Sequence, residues 1–235
     1  MLRVELISST GKTYLLTGTE SQSPVLSEEG ALVELRGQVS HSDLARPGRP
    51  GVIAGRRNYG PIEVEIPFYL HADTGEELER VYREFRQGWR GVSTFKVEAD
   101  HPLSPLFLDV TTGVLPGVSV DARRRTMVAL SVPVFSAEGL FRTSAQYGTG
   151  TVTVTNSGDV TVFPKIVATA GGKVTCPSGA SFSLPTGSST VDMSPEGLML
   201  EGAFPEGVEP GKSGTWVVPA GARLEWVLQV ADPWA

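Results

Sequence analysis

Only one stretch of this 235-residue chain carries a helical period, and that scarcity decides what the rest can be. Between Asp73 and Trp89, the residues Leu78, Val81, Tyr82 and Phe85 recur at i, i+3, i+4 and i+7, which lines them up on one stripe, while Glu76, Glu79, Arg80, Arg83, Glu84 and Arg86 mostly take the other faces. Asp73 or Thr74 can cap the first free N–H groups, Glu76 and Glu77 lie where the helix dipole favours anions, and Gly88 can end the element. The spacing predicts one helix over 73–88 with a buried side. Everything else reads as short strands and turns, so the helix must cover the open face or end of a sheet, because neither element can leave its apolar side in water.

The chain is long enough to bury a core without staples, as one large β domain or two of ordinary size, and two is the division read here. It has no run of about 18 apolar residues that could span a bilayer and no basic-then-apolar leader at Met1, which predicts a protein without membrane insertion, made and kept in the cytoplasm of the cell that makes it. Cys176 is the single cysteine, so a disulfide framework within the chain is excluded and the residue reads as a small buried hydrophobe in a strand. Twenty basic against 26 acidic side chains give a net charge of −6. That balance argues against general nucleic-acid binding, which needs a basic face.

In order, Met1–Leu6 and Thr13–Leu16 read as a hairpin about Gly11, Ala31–Val39 as an extended segment, and His41–Gly55, with two Pro-Gly pairs, as a long loop of the kind that carries contacts. Ile62–Leu70 alternates cleanly. After the helix, Ser93–Glu98, Leu106–Thr112, Gly117–Asp121 and Thr126–Phe135 read as strands. From Ser144 the helical period disappears and charges thin out: residues 1–143 hold 16 basic and 18 acidic side chains, and residues 144–235 hold 4 and 8. The division is therefore placed there, with 1–143 as one domain and 144–235 as an antiparallel β-sandwich. Its strand candidates are Gly150–Thr155, Pro164–Ala170, Lys173–Cys176, Ser181–Leu184, Thr190–Met193, Leu198–Leu200, Thr215–Val218 and Arg223–Val230.

No set of residues assembles into chemistry. The Gly207–Ser213 segment is one residue short of a phosphate loop and precedes a strand where such a loop needs a helix N-terminus. His41, His71 and His101 have no metal-spaced partners, and Glu76, Glu77 and Glu79 point in different directions around the helix. No catalysis, cofactor or metal is expected. Arg46, Arg49, Arg56 and Arg57 around the long loop, and the run Arg123, Arg124 and Arg125 at a turn, are candidate interface residues. Trp216, Trp226 and Trp234, all within the last twenty residues, are candidate stacking residues for a glycan, although alternating strands more commonly bury such side chains.

Three segments of the first half, Arg56-Arg57-Asn58-Tyr59-Gly60-Pro61, His71-Ala72-Asp73-Thr74-Gly75-Glu76-Glu77-Leu78 and Ser136-Ala137-Glu138-Gly139-Leu140-Phe141-Arg142, in that order resemble the distal tail protein (Dit) family of long-tailed bacteriophages. In the second half, Thr153–Ile166 is similar to the Asn-x-Gly … Pro-x-Ile entry of that family's galectin-like domain, and Trp216–Leu224 is similar to its closing Trp and Pro-Ala-Gly turn. The resemblance implies an N-terminal β-barrel or split sandwich with one helix, followed by a galectin-like antiparallel sandwich. It also implies a structural role in the virion tail tip: a homo-hexameric hub ring, made in the host bacterium, that joins the tail tube protein to tail-tip or baseplate proteins and leaves a channel that DNA can pass without specific binding. The alternative expectation is a carbohydrate-binding module that takes host cell-wall glycan on the C-terminal sandwich through the three tryptophans.

Overall fold

The computed structural model describes residues 2–17, 23–117 and 125–235. Strands take 43% of the described residues and helices 8%, so the fold is mainly β. It divides into two compact units, Met1–Phe141 with Ala231–Ala235, and Arg142–Val230. The last five residues thus return to the first unit, where the Gly37 N–H donates to the Ala231 carbonyl at 2.6 Å.

In the first unit, Arg3–Ile7 lies between Thr13–Leu15 and Ser93–Glu98, and Ser93–Glu98 is flanked on its other side by Leu106–Val110, all antiparallel. A second sheet sets Ile62–His71 between Met127–Ser136 and Val25–Ser27. The period of two sorts each strand's residues: Val4, Leu6, Phe95, Val97, Leu106 and Leu108 are buried in one sheet, and Ile66, Phe68, Leu70, Leu130 and Val132 in the other. Register keeps each set together, as in Val97 opposite Val4 and Leu106, and Phe68 opposite Leu130. This is a split sandwich.

The helix Gly75–Gly88 closes it. Thr74 caps it by accepting the Glu77 N–H, and Leu78, Val81 and Phe85 are buried. The Phe85 ring lies 5.9 Å from that of Tyr14 in the first sheet and 5.1 Å from that of Phe68 in the second, with Trp89 at 6.0 Å. One side chain therefore ties both sheets to the helix. Tyr82 departs from the expected stripe: it stays half-buried at the margin, where the Arg86 guanidinium donates to its hydroxyl at 3.0 Å and to the Pro116 carbonyl at 2.6 Å. Gly88 ends the helix against the opening hairpin. Its carbonyl accepts from the Ser9 N–H and hydroxyl and from the Ser93 hydroxyl, and a Cβ there would stand 2.8 Å from the Ser8 Cβ.

Two expectations for this unit are corrected, and a third lies outside the described residues. Residues 31–39 do not extend as one strand; Glu29–Leu32 forms a single helical turn that buries Leu32, so the described residues hold two helices. The long loop 41–55 is a paired hairpin, described below. The strand expected at Gly117–Asp121 falls almost entirely outside the described residues.

The second unit stacks two four-stranded antiparallel sheets, Gln146–Gly148, Ala222–Trp226, Lys165–Ala168 and Ser189–Asp192 in one, and Thr151–Thr155, Ser213–Val217, Gly172–Thr175 and Ser181–Leu184 in the other. It is an antiparallel β-sandwich with Trp216, Leu224, Ile166, Val154 and Val174 in its core. Leu198–Leu200 is not a strand: it belongs to an irregular segment that leaves Met199 92% exposed and Phe204 75% exposed. The Asn156-Ser157-Gly158 motif has a structural explanation. Asn156 is fully buried, its amide donates to the carbonyls of Val160 and Val208 at 2.7 Å each, and its oxygen accepts the Gly158 N–H at 2.9 Å. Gly158 lacks a Cβ because one would meet the Gln229 carbonyl at 2.5 Å. Cys176 is buried, and burial together with the Glu206 carboxylate pushes its thiol up to about 11.

Candidate assembly interface

Between the helical turn and the second sheet, the chain leaves the body of the first unit and comes back as an antiparallel hairpin. Gln38–His41 pairs with Arg57–Gly60, and further out Leu44–Ala45 pairs with Val52–Ile53. The tip follows from composition. Pro47 presets its backbone, Gly48 takes φ +69°, and the Arg49 N–H closes onto the Arg46 carbonyl at 3.3 Å, the signature of a turn with Pro and Gly at its two central positions; Pro50 and Gly51, at φ +89°, repeat the pattern. Between the two ladders, the Gly55 N–H donates to the Asp43 carboxylate at 2.9 Å, and the Asn58 amide donates to the Ser42 hydroxyl. A side chain at Gly55 would collide with the Ser42 carbonyl at 1.8 Å, so the two arms approach more closely there than any other residue allows.

The root is fixed by glycine as well. A Cβ on Gly139, itself at φ +64°, would fall 1.8 Å from the Gly60 carbonyl, and one on Gly37 would fall 2.6 Å from the Gly139 carbonyl. Two of the sequence motifs noted above, Arg56–Pro61 and Ser136–Arg142, are therefore in contact, and the backbone of one is the floor for the other.

Beyond that root, residues 41 to 58 are all exposed. Leu44 is 65% exposed, and Val52 and Ile53 are 51% exposed each, although Leu44 and Ile53 stand directly opposite one another as a cross-strand pair. Arg46, Arg49, Arg56 and Arg57 are all on this hairpin, exposed and without an ion pair among the described residues; against them stands one carboxylate, Asp43, a difference of four minus one and a net charge of +3 over residues 38–60. Sequence reasoning located the segment and its arginines but not its pairing. Of the other candidates, Arg125 is exposed at the start of the Met127–Ser136 strand, and Arg123 and Arg124 lie outside the described residues.

The tryptophans do not come together as a platform. Trp216 is fully buried in the second unit, Trp226 is half-buried in the same unit, and Trp234 is half-buried in the segment that belongs to the first. Alternation explains Trp216: Gly214, Trp216 and Val218 face inward, Thr215 and Val217 outward. Among the described residues no group of His, Cys, Asp and Glu could hold a metal ion, and no helix is long and apolar enough to cross a membrane.

No protein-family model and no curated protein matches this sequence. Solved structures do match its fold. SPP1 Dit (gp 19.1), a hub of the adsorption apparatus in phages that infect Gram-positive bacteria, has a TM-score of 0.56 at 10% identity, over 97% of this chain and 99% of that one. Chains of the phage P2 baseplate in its activated conformation have a TM-score of 0.60, at 8% identity with Ca and 9% with Sr, over 97% of this chain and 98% of theirs. That coverage takes in both units. Over nearly its whole length, then, this chain shares the fold of the Dit hub and baseplate proteins of bacteriophage tails.

Proposed function

We propose that this chain is a structural subunit of a phage tail hub ring, carried in the virion between the tail tube and the tail-tip or baseplate proteins and made in the bacterial host, with six copies to the ring. The observation that carries the reading is the hairpin at residues 38–60, a shaped, exposed, positively charged arm with a fixed root and an apolar pair near its tip, in a chain whose fold is shared with hub proteins. A closed ring needs two different faces on each subunit, so that one face of each copy meets the other face of the next. The arm supplies one of them. The second unit contributes less to closure in this reading.

The test is native mass spectrometry of the purified full chain over a range of concentrations, with cryo-EM of the particle that carries it. Six-fold rings closed through the first unit are expected. A closed dimer, or a monomer at every concentration together with isolated copies on the particle, overturns the proposal. Glycan stacking on the three tryptophans is not proposed, since Trp216 is in the core and Trp234 belongs to the other unit.

A further inference from the structure

The second sheet of the first unit has an unpartnered outer face. On it Glu63 is opposite Phe135 and Glu65 is opposite Pro133; both carboxylates are exposed, Phe135 is 39% exposed, and Met127, at the far end of the same strand, is 58% exposed. The strands Ile62–His71 and Met127–Ser136 place no Lys or Arg on either face, and neither Glu63 nor Glu65 has an ion pair among the described residues. The hairpin is the opposite in every respect: basic where this face is acidic, protruding where it is flat, and with an apolar cross-strand pair of its own in water.

Within one copy the two do not meet: the arm ends at Gly60 just before the strand that carries Glu63 and Glu65, and Arg46, Arg49, Glu63 and Glu65 are all exposed and without an ion pair among the described residues. Between copies the same adjacency becomes useful. If an arm lies on the sheet of the next copy, it ends beside the point where that copy's arm departs, and one set of contacts then propagates head to tail until the rotation closes.

We propose that the outer half of the hairpin of one copy binds the exposed face of the Ile62–His71 and Met127–Ser136 strands of a second copy, with Arg46 and Arg49 meeting Glu63 and Glu65 and with Leu44 and Ile53 covering Phe135. The proposal rests on the ring reading and specifies its interface. A competing bed exists around Met199 and Phe204 in the second unit, which also carries the exposed carboxylates Glu196 and Glu201. It offers two protruding side chains on an irregular segment, whereas an apolar cross-strand pair packs best on a flat pleated surface.

The experiment uses the full chain. A benzophenone-bearing residue in place of Leu44 is irradiated, and the crosslinked peptides are identified by mass spectrometry, with mixed isotope labelling to separate contacts between copies from those within one. Crosslinks between copies should fall on residues 62–66 or 132–136. In parallel, Arg46→Glu with Arg49→Glu should weaken self-association roughly tenfold or more, Glu63→Arg with Glu65→Arg should do the same, and the four changes together should restore it. The affected residues are exposed, so unchanged unfolding midpoints check that each variant folds. Assembly of the unmodified chain with crosslinks on residues 196–206, or without rescue by the fourfold variant, overturns this interface and leaves the ring standing. Absence of any self-association overturns both.

Discussion

The helix Gly75–Gly88 and the hairpin Gln38–Gly60 flank the same strand and are built from similar materials, a few large apolar residues among many charges, yet they dispose of them in opposite ways. The helix hides its apolar residues and settles its charges locally: Leu78, Val81 and Phe85 are buried, Arg80 pairs with Glu77, Arg83 with Glu79, and Lys12 reaches across to Glu84. The hairpin leaves Leu44, Val52 and Ile53 in water and its four arginines without ion pairs among the described residues. Its backbone is nevertheless as well determined, through two ladders, an Asp43 bond and a glycine root. The difference separates a segment that completes its own unit from one whose complement, in the proposed ring, is a second copy. Burying an exposed Leu or Ile side chain contributes about 1.5 to 3 kcal/mol, and here that gain is still unused.

Substitutions at the two elements should separate stability from assembly. The largest effect is expected at Phe85→Ala, which removes the ring that joins both sheets to the helix and should cost about 3 to 5 kcal/mol in urea unfolding; a midpoint that hardly moves would mean that the helix does not close the sandwich. Next is Gly139→Ala, which puts a Cβ into the Gly60 carbonyl at a left-handed backbone position and should destabilise the first unit by roughly 1 to 3 kcal/mol. Because it deforms the root, it should also lower self-association, and an unaltered oligomer with an unaltered midpoint would show that the root is soft. Leu44→Ser with Ile53→Ser should shift the unfolding free energy by no more than about 0.5 kcal/mol while reducing assembly measured by sedimentation. A large loss of monomer stability from this pair would make the hairpin a core element and erase the contrast.

The smallest expected effect comes from pH. Glu5 is partly buried, which by itself raises its carboxyl, but hydrogen bonds and charge from Arg3 and Lys96 outweigh this and hold it below the usual carboxylate range. Its contribution is therefore complete above the ordinary glutamate range, near 4.5, and fades as the pH falls through the lower folded value. Glu5→Gln should remove part of the acid sensitivity of unfolding below that point and change little at neutral pH. The sharper comparison is with the hairpin, whose arginines should give assembly a strong dependence on salt instead.

The helix and most strands were legible because each shows its burial in its period: Leu78, Val81 and Phe85 at helical spacing, and Ile62, Ile66, Phe68 and Leu70 on the even positions of a strand. The hairpin was legible only as a place. With both faces in water it has no alternation to detect, and its Pro-Gly pairs, which here make a tip, read equally well as loop. Leu198–Leu200 failed for the converse reason, a short apolar run that no strand pairs with. The return of Ala231–Ala235 to the first unit could not be seen in composition, since five residues leave no statistical mark. Tyr82 fits the stripe by spacing, yet its hydroxyl keeps it at the margin beside Arg86.

The glycine root also sets a tolerance. From Gln38 to Ala45 the arm can reach about 26 Å at roughly 3.3 Å per residue, so a tilt of about 10° at Gly60 and Gly139 would carry its outer end through about 4 to 5 Å, close to one full strand spacing. Such an error would bring each arginine to the wrong carboxylate, and in a closed ring it would recur at every junction and add up around the circle. Two facing backbones with no side chain between them make a hinge with almost no play. In the proposed ring, the number of subunits that can close the circle is in this sense written at the base of the arm, far from the residues that would touch the neighbour.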